Sequence, residues 1–236
     1  MAHVCYKQGD FRGAVHWARR ADAQSPSFDS AWMIAWVLAL VGRPSEAREF
    51  AQRAFEVDPM NEMCGFARGG VEFQDGRFDE AERWFRRYLK AASAGNPMLL
   101  WWQAHALAYT GRLDEATALH QELAHAGTEV MSDLSSLYCL ASDGDRDRIC
   151  QALDPGTRLY QAALTDEWYP NFIAACLAMV GDHEGAVEWL ERAVAWGFSN
   201  HRFLGECSPF LAPLRGHPRF ERLLEQAREK ERAFEL

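Results

Sequence analysis

The feature of this sequence that most limits its possible folds is a phrase that recurs every 33 to 37 residues. In each copy a glycine is followed by a polar residue, a small residue and then an apolar run. The glycines that mark the copies are Gly9, Gly42, Gly76, Gly111, Gly144 and Gly181. Self-similarity at such a period is typical of proteins built from stacked supersecondary units.

Each copy predicts the turn and the second helix of a helical hairpin. Glycine readily adopts the left-handed conformation that ends a helix, and an acid or serine just after it suits the start of the next helix. In the third copy the apolar residues follow helical spacing, and they are Ala81, Trp84, Phe85, Tyr88 and Leu89. One hairpin cannot cover its own apolar face, so neighbouring hairpins are expected to stack.

The second copy resembles the tetratricopeptide repeat family. The small residues, glycine and proline of that family's pattern are matched by Ala35, Gly42, Ala47, Ala54 and Pro59. The resemblance covers most of residues 1–200 and implies an all-α solenoid of about six helical hairpins in a right-handed superhelix. We expect the solenoid over residues 1–200, and the C-terminal connection and capping helix of the same domain over residues 201–236.

Three copies depart from the pattern. Pro155 and Gly156 predict that the second helix of the fifth copy ends near Leu153 and that a short extra helix runs from about Thr157 to Leu164. The first copy has too few residues before Gly9 for a full helix, which indicates either an atypical unit or a piece of a longer chain. In the third unit, three residues stand where large apolar ones are expected and indicate a register shift: Gly65, Arg68 and Glu72.

The last third of the chain resembles the repeat region of large bacterial regulators. The resemblance rests on GDHEGAVEWLERAVAWGF and FLAPLRGHPRFERLLEQ. In those regulators a protein kinase, a nucleotide cyclase or a winged-helix DNA-binding domain precedes the repeats. This sequence contains no kinase or DNA-reading motif, so the resemblance implies only an accessory regulatory role.

The composition favours a soluble protein that binds other proteins. The formal net charge is −9 and the sequence shows no basic stripe, so we expect an apolar or basic partner segment and no nucleic acid. The first ten residues lack the apolar core of a signal peptide, and the longest apolar run, residues 31–42, is shorter than the roughly 20 residues of a bilayer span. We therefore expect a cytoplasmic protein with no membrane partner.

The sequence contains no recognisable catalytic or metal-binding arrangement. His120 and His125 in HQELAH are five residues apart and so about 140° apart around a helix, whereas two zinc ligands on one helix need a spacing of four. His120 also occupies the packing position that Phe85 and Leu190 hold in other copies. We therefore expect no enzyme activity, no metal and no cofactor.

The family resemblance implies that the first helices of the hairpins line a concave surface. Its inner positions, carried onto this sequence, give a peptide-binding groove lined by Trp32, Trp36, Trp101, His105, Tyr109 and Tyr138. Aromatic side chains suit peptide binding because they bury a large area at low entropic cost. The alternative is that these rings pack against neighbouring helices as part of the core.

These observations together predict a non-catalytic protein-interaction or scaffold module. It would bind a segment of another protein, or of its own parent chain, within a bacterial regulatory system. Two alternatives stay open. The chain could self-assemble through the incomplete first unit, where Val4, Tyr6 and Phe11 lack a covering helix, or it could be a sensor that holds a small apolar ligand in the groove.

Overall fold

The protein folds as a series of antiparallel helical hairpins. The computed structural model describes residues 1–61, 63–91, 96–127 and 130–234, and within these ranges the regular structure is entirely helical. The paired helices are α1 (Ala2–Lys7) and α2 (Phe11–Gln24), α3 (Phe28–Leu40) and α4 (Pro44–Val57), α5 (Met63–Gln74) and α6 (Phe78–Ala91), α7 (Pro97–Tyr109) and α8 (Leu113–Ala126), α9 (Val130–Ser142) and α10 (Arg146–Ala152) with α11 (Arg158–Ala163), and α12 (Tyr169–Met179) and α13 (His183–Trp196). The all-helical repeat fold expected from the sequence is confirmed. None of the helices in the described ranges combines the length and the hydropathy of a bilayer span.

The turn of each hairpin has the glycine conformation that the repeat phrase predicts. All six turn glycines have φ between +73° and +81°, where a side chain would be strained. The helix that follows is often capped by the next residue: Asp10, Asp145 and Asp182 each accept a backbone N–H of the first turn. The local chemistry of the phrase therefore fixes the position of each hairpin turn.

The fifth unit ends its second helix early, as Pro155 and Gly156 predict. Helix α10 stops at Ala152, and the short helix α11 occupies Arg158–Ala163. The Thr157 hydroxyl accepts the backbone N–H of Tyr160 and so caps α11. The extra helix expected in this interval is confirmed.

The register shift expected in α5 is wrong. Helix α5 ends two residues before Gly76, just as α3 ends two residues before Gly42. The small residues of α5 instead make room for large side chains of α6. A Cβ added at Gly65 would lie 2.8 Å from the Cβ of Tyr88, and one at Gly69 would overlap the Phe85 ring. The large side chains at this contact belong to α6 rather than to α5, and the register of α5 is unchanged.

The first and the sixth hairpins are in contact, so the row of inner helices closes on itself. The Tyr6 hydroxyl donates a hydrogen bond to the Glu167 carboxylate, and the Trp36 indole donates to the same oxygen at 2.9 Å. Gly197, after α13, lies against the ring of Phe11. Tyr6 and Phe11 are therefore buried, and the expectation that they lack a covering element is wrong. Val4 alone of the three is largely exposed, at 52%.

The chain ends in the amphipathic capping helix expected from the sequence. An irregular stretch after α13 contains a π-helical turn (Phe203–Cys207) and a 3₁₀ turn (Ala212–Leu214), and α14 (Pro218–Ala233) follows. Phe220, Leu223 and Ala227 form the buried stripe of α14. The end of the helix is tied to the first two hairpins, because Arg12 and Arg43 donate to the carbonyls of residues 233 and 234.

Candidate functional site

Five of the six side chains expected to line an open groove lie in a closed interior. Trp36, Trp101, His105, Tyr109 and Tyr138 are each at most 7% exposed, and Trp32 is half-buried. They do sit on the first helices of their hairpins, but the surface that they form is covered. The open groove of the sequence analysis is therefore absent from this closed structure, because the sixth hairpin and the chain after it fill the space. A peptide-binding role for these rings stays a prediction.

The rings of α7 form the centre of this interior. His105 stacks on Trp101 at 5.1 Å and on Phe73 of α5 at 4.9 Å between ring centroids. Trp101 also contacts Phe172 of α12 at 4.9 Å. Trp36 belongs to the same cluster through Phe66, at 4.8 Å. Tyr138 is linked to it through His120, whose ring lies 4.2 Å from that of Tyr138 and 6.2 Å from that of Phe172. Large aromatic rings bury much apolar area and gain from such tilted and stacked contacts.

More than half of the rings in this cluster were not predicted from the sequence. They include Phe66, Phe73, Trp102, Trp168, Phe172 and Phe203. Phe73 comes directly before the turn of the third hairpin and was readable as an inner position. Trp168 and Phe203 lie just before α12 and in irregular chain, where no helical period marks a buried face.

An irregular stretch of the chain, residues 198–211, occupies the inner face and is called the inner segment below. Its backbone N–H groups at Ser199 and Asn200 both donate to the carbonyl of Leu40, at 3.1 Å. The Asn200 amide donates to the carbonyls of Ala39, at 3.2 Å, and Gln74, at 2.8 Å. The last carbonyls of a helix have no partner within the helix. The inner segment thus binds the C-terminal ends of α3 and α5 through backbone carbonyl groups, which are present at the end of any α-helix.

Side chains of the inner segment also enter the aromatic cluster. The Phe203 ring, 1% exposed, lies 5.3 Å from Trp168 and 5.7 Å from Phe73. Phe210 packs edge-on against Tyr109 at 5.0 Å, and Arg202 forms an ion pair with Asp75 at 2.8 Å. Phe198, Leu204 and Leu211 of the segment are also buried. The inner segment therefore combines several apolar anchors and a basic residue with main-chain hydrogen bonds.

Several polar atoms of the inner face are buried without a hydrogen-bond partner in the protein. They include both ring nitrogens of His105, the indole nitrogens of Trp101 and Trp168, and the side-chain amide of Gln74. Burying such a group unpaired costs about 1–3 kcal/mol. Burial and, secondarily, the nearby His120 hold the pKa of His105 well below its ordinary value, so its ring is neutral. A surface selected only as apolar core would not be expected to keep so many hydrogen-bonding groups.

Two adjacent carboxylates lie where the first and sixth hairpins meet. Glu167 accepts the bonds from Tyr6 and Trp36, and Asp166 accepts the backbone N–H groups of Trp168 and Tyr169, at 2.8 Å each. Burial and the neighbouring charge of Glu167 raise the pKa of Asp166 to about 8, although part of its side chain stays exposed. Burial likewise raises the pKa of Tyr6 well above its ordinary value.

His120 has the packing role that its repeat position predicts. Its ring is fully buried, stacks on Tyr138 at 4.2 Å and lies 3.2 Å from the Ser135 hydroxyl. Burial lowers its pKa to about 3. Within the described ranges, no three His, Cys, Asp or Glu side chains converge as a metal site would require.

Two open cavities of the structure are lined by residues outside the central aromatic cluster or at its edge. One, of about 460 Å³, is bounded by α1, α2 and α3 and includes Trp32, Met33 and Asp29. Another, of about 340 Å³, lies beside Asp166 and Trp196. The small-ligand alternative, which places a ligand against the central rings, stays a prediction.

Comparison with known proteins supports the repeat resemblance. The family model described as tetratricopeptide repeat matches residues 30–53 and 64–87, which cover most of the second and third hairpins. Among solved structures, the chain is similar to YrrB, described as a TPR protein with an unusual peptide-binding site. The two chains are 19% identical, the alignment covers 76% of this chain and 91% of that one, and the TM-score is 0.44. A comparison with curated proteins gave no match.

Proposed function

We propose that this chain is a non-catalytic protein-interaction module whose inner face binds a segment of a partner protein in place of its own inner segment. The observation that carries the proposal is the way in which the inner segment is held. Residues 201–207 form a short α- and π-helical turn, the rest of the segment has no regular secondary structure, and the segment is bound by helix-end carbonyls and aromatic contacts. Those are the interactions by which a protein surface holds a foreign peptide.

The unpaired polar atoms of the inner face support the same proposal. In the closed form His105, Gln74 and two indole groups find no partner in the protein. A bound segment with its own donors and acceptors would satisfy some of them and so recover part of their desolvation cost. Such groups give a surface specificity for one sequence over another, which a purely apolar face lacks.

The chemistry of the inner segment indicates the chemistry of the partner. Phe198, Phe203 and Phe210 are its aromatic anchors, and Arg202 pairs with Asp75. A partner segment that replaces it would carry apolar anchors and a basic residue. In that open state the binding residues would be the six rings of the sequence analysis: Trp32, Trp36, Trp101, His105, Tyr109 and Tyr138. As part of this proposal, the module acts in a cytoplasmic regulatory system of a bacterium, which the resemblance of the last third implies.

The test is to supply the inner segment as a separate peptide. Asn200→Ala combined with Phe203→Ala removes two of the contacts that hold the segment in the chain. We expect this variant to bind a fluorescein-labelled peptide of residues 198–211 about tenfold or more tightly than the unaltered protein does, because the competing segment is weakened. Fluorescence anisotropy measures the binding.

Two controls separate exchange from general loosening. Phe220→Ala removes an equally buried ring from α14, outside the inner segment, and should leave peptide binding unchanged. A peptide of the same composition in scrambled order should bind neither variant. If the Asn200/Phe203 variant stays folded and does not bind the peptide, or if Phe220→Ala binds it equally well, the inner face is not an exchangeable peptide site.

The same peptide then tests for a partner. Protein immobilised and incubated with a cell lysate should release its partner when the peptide of residues 198–211 is added, but not when the scrambled peptide is added. Release by both peptides, or by neither, would mean that the captured protein is bound elsewhere.

A further inference from the structure

Four outer helices carry an aromatic residue followed three positions later by an arginine, at the same place in the repeat. The aromatic residue comes eight positions after the turn glycine and the arginine eleven positions after it. The pairs are Trp17 and Arg20, Phe50 and Arg53, Trp84 and Arg87, and Trp189 and Arg192. In each pair the guanidinium lies over the ring, 4.8 to 5.4 Å from its centroid. Residues three apart are neighbours on a helix surface, so the pairing recurs in register with the repeat.

Three of these pairs join into one continuous surface across α2, α4 and α6. Arg19 of α2 lies over the Phe50 ring at 5.7 Å. Arg53 forms an ion pair with Asp22 of α2 at 2.5 Å, and Arg68 of α5 covers the Trp84 ring at 4.6 Å. We call this surface the outer stripe; its residues are Trp17, Arg19, Arg20, Phe50, Arg53, Arg68, Trp84 and Arg87. It ends at the fourth hairpin, where the two repeat positions hold Leu119 and Glu122.

The arginines of the outer stripe are mostly free of carboxylates. In the part of the chain that the structure describes, Arg19, Arg20 and Arg87 are exposed and have no carboxylate within 4 Å. Arg68 donates to the amide oxygen of Gln52. The contrast with other surface arginines is clear, since Arg112, for example, forms a two-bond fork with Glu115.

Near these arginines in the sequence, α2 and α4 carry the carboxylates Asp22, Glu49 and Glu56. Asp22 is buried and engaged by Arg53. Glu49 and Glu56 of α4 are exposed, and Glu56 accepts a hydrogen bond from Gln52. The outer stripe is thus a basic and aromatic strip on a protein of net charge −9. No basic stripe is evident in the sequence, because the arginines of the outer stripe are spread from Arg19 to Arg87 and come together only when the hairpins stack.

We propose that the outer stripe binds an acidic segment of a partner protein. The rings hold the guanidinium groups against the surface, and those of Arg19, Arg20 and Arg87 keep N–H groups that can pair with a carboxylate. The outer helices α2, α4 and α6 pack against the inner helices α3 and α5 that lie between them. A segment of about nine extended residues, roughly 30 Å long, would reach across all three outer helices. A carboxylate at every second or third residue of such a segment would meet a guanidinium on each helix.

The charge distribution favours a short acidic peptide over a nucleic acid. A nucleic acid strand is a long polyanion that would extend past the stripe. Beyond α6 it would meet the acidic start of α8 at Asp114 and Glu115, and then Glu122. A peptide can confine its charges to the length of the stripe. The outer stripe shares no residue with the inner face, so a test of the outer stripe is independent of the proposed function.

The test compares peptides of matched size on matched variants. The probe is a fluorescein-labelled peptide of repeated Glu–Glu–Phe units, about nine residues long, and its counterpart has Gln in place of Glu. We expect the acidic peptide to bind the unaltered protein, to bind more weakly as salt rises, and to bind at least about tenfold more tightly than the Gln peptide. Fluorescence anisotropy at two salt concentrations measures both effects.

Two double variants locate the binding. Arg20→Gln with Arg87→Gln should weaken binding of the acidic peptide about tenfold or more and reduce its salt dependence. Arg192→Gln with Arg222→Gln removes the same charge and includes one stacked arginine outside the stripe, so it should change the affinity less than about twofold. All four residues are exposed, and thermal melting should confirm that both variants stay folded.

Three results would overturn the proposal. The unaltered protein could bind the two peptides equally, which would remove the role of charge. Both double variants could weaken binding to the same extent, which would assign the effect to net charge rather than to the stripe. A single-stranded oligonucleotide of equal charge could bind more tightly than the acidic peptide and depend on Arg20 and Arg87, which would make the partner a nucleic acid.

Discussion

Tryptophan side chains occur both in the closed interior of this protein and on its outer helices. Trp101 lies in the closed interior at 1% exposure, between His105 and Phe172. Trp17 lies on the outer helix α2, half-buried beneath Arg20. The family resemblance implied the inner position of Trp101. Its burial could not be predicted, because it depends on a hairpin about 70 residues later in the chain.

The effect of replacing Trp101 follows from that burial. Trp101→Ala should lower the free energy of unfolding by about 3–5 kcal/mol, since it deletes a fully buried ring from a packed cluster. Trp17→Ala, the control, should cost clearly less, because its ring is partly exposed and its space is open to water. Urea unfolding followed by circular dichroism measures both. A loss for Trp101→Ala no greater than that for Trp17→Ala would mean that the interior is not packed as described.

At the scale of helices and segments, the parts with a helical period could be predicted and the irregular part could not. The turn glycines, the capping aspartates and the break at Pro155 act locally, so the hairpins and the extra helix α11 followed from the sequence. The register of α5 was wrongly predicted, because Gly65 and Gly69 are explained only by the α6 side chains that cover them. The inner segment has no period, so nothing in its sequence predicted that it would fill the interior.

The contact between α1 and the start of α12 should make stability depend on pH. The ordinary pKa of an aspartate is 3.8, and burial together with Glu167 raises that of Asp166 to about 8 in the folded protein. The groups that face it are Glu167, Tyr6 and Lys7. The folded state therefore binds this proton more tightly than the unfolded state does. Its contribution to stability is complete below pH 3.8 and is lost as the pH rises through about 8.

Asp166→Asn tests this dependence. An asparagine oxygen can still accept the N–H groups of Trp168 and Tyr169, so the start of α12 should persist. We expect the variant to be more stable than the unaltered protein at pH 9 and to lose less stability between pH 5 and pH 9. Asp10→Asn, at another helix start, is the control for the loss of a carboxylate. A pH dependence unchanged in Asp166→Asn would show that Asp166 ionises normally in the folded protein.

At the scale of the whole molecule, the contact between the first and sixth hairpins determines whether the inner face is open or closed. An open row of hairpins would expose the aromatic rings of its inner helices, as the family resemblance implies. Here Tyr6, Trp36 and Glu167 join the two ends, and the inner segment fills the space between them. The fold class and the order of the hairpins were predictable from local repeats. The closure was not, because it rests on side-chain contacts across 131 and 161 residues of chain.

The proposed function requires a particular motion of the inner segment. The inner segment must leave the inner face while the hairpins around it stay folded, since a partner cannot replace a segment that opens only when the whole core unfolds. Its hold consists of a few main-chain and Asn200 hydrogen bonds, an exposed ion pair of Arg202, the half-buried ring of Phe210 and four buried side chains, those of Phe198, Phe203, Leu204 and Leu211. Local opening of such a unit costs less free energy than global unfolding.

Native-state hydrogen exchange tests this requirement most directly. The amides of Ser199, Asn200 and Phe203 should exchange through a local opening that needs clearly less free energy than the exchange of α5 and α7, and that depends little on denaturant. Amides in the middle of α7 should exchange only through global unfolding. If the amides of the inner segment instead share the opening free energy and the denaturant dependence of α7, the segment is a fixed part of the core, and the proposal that a partner takes its place is contradicted.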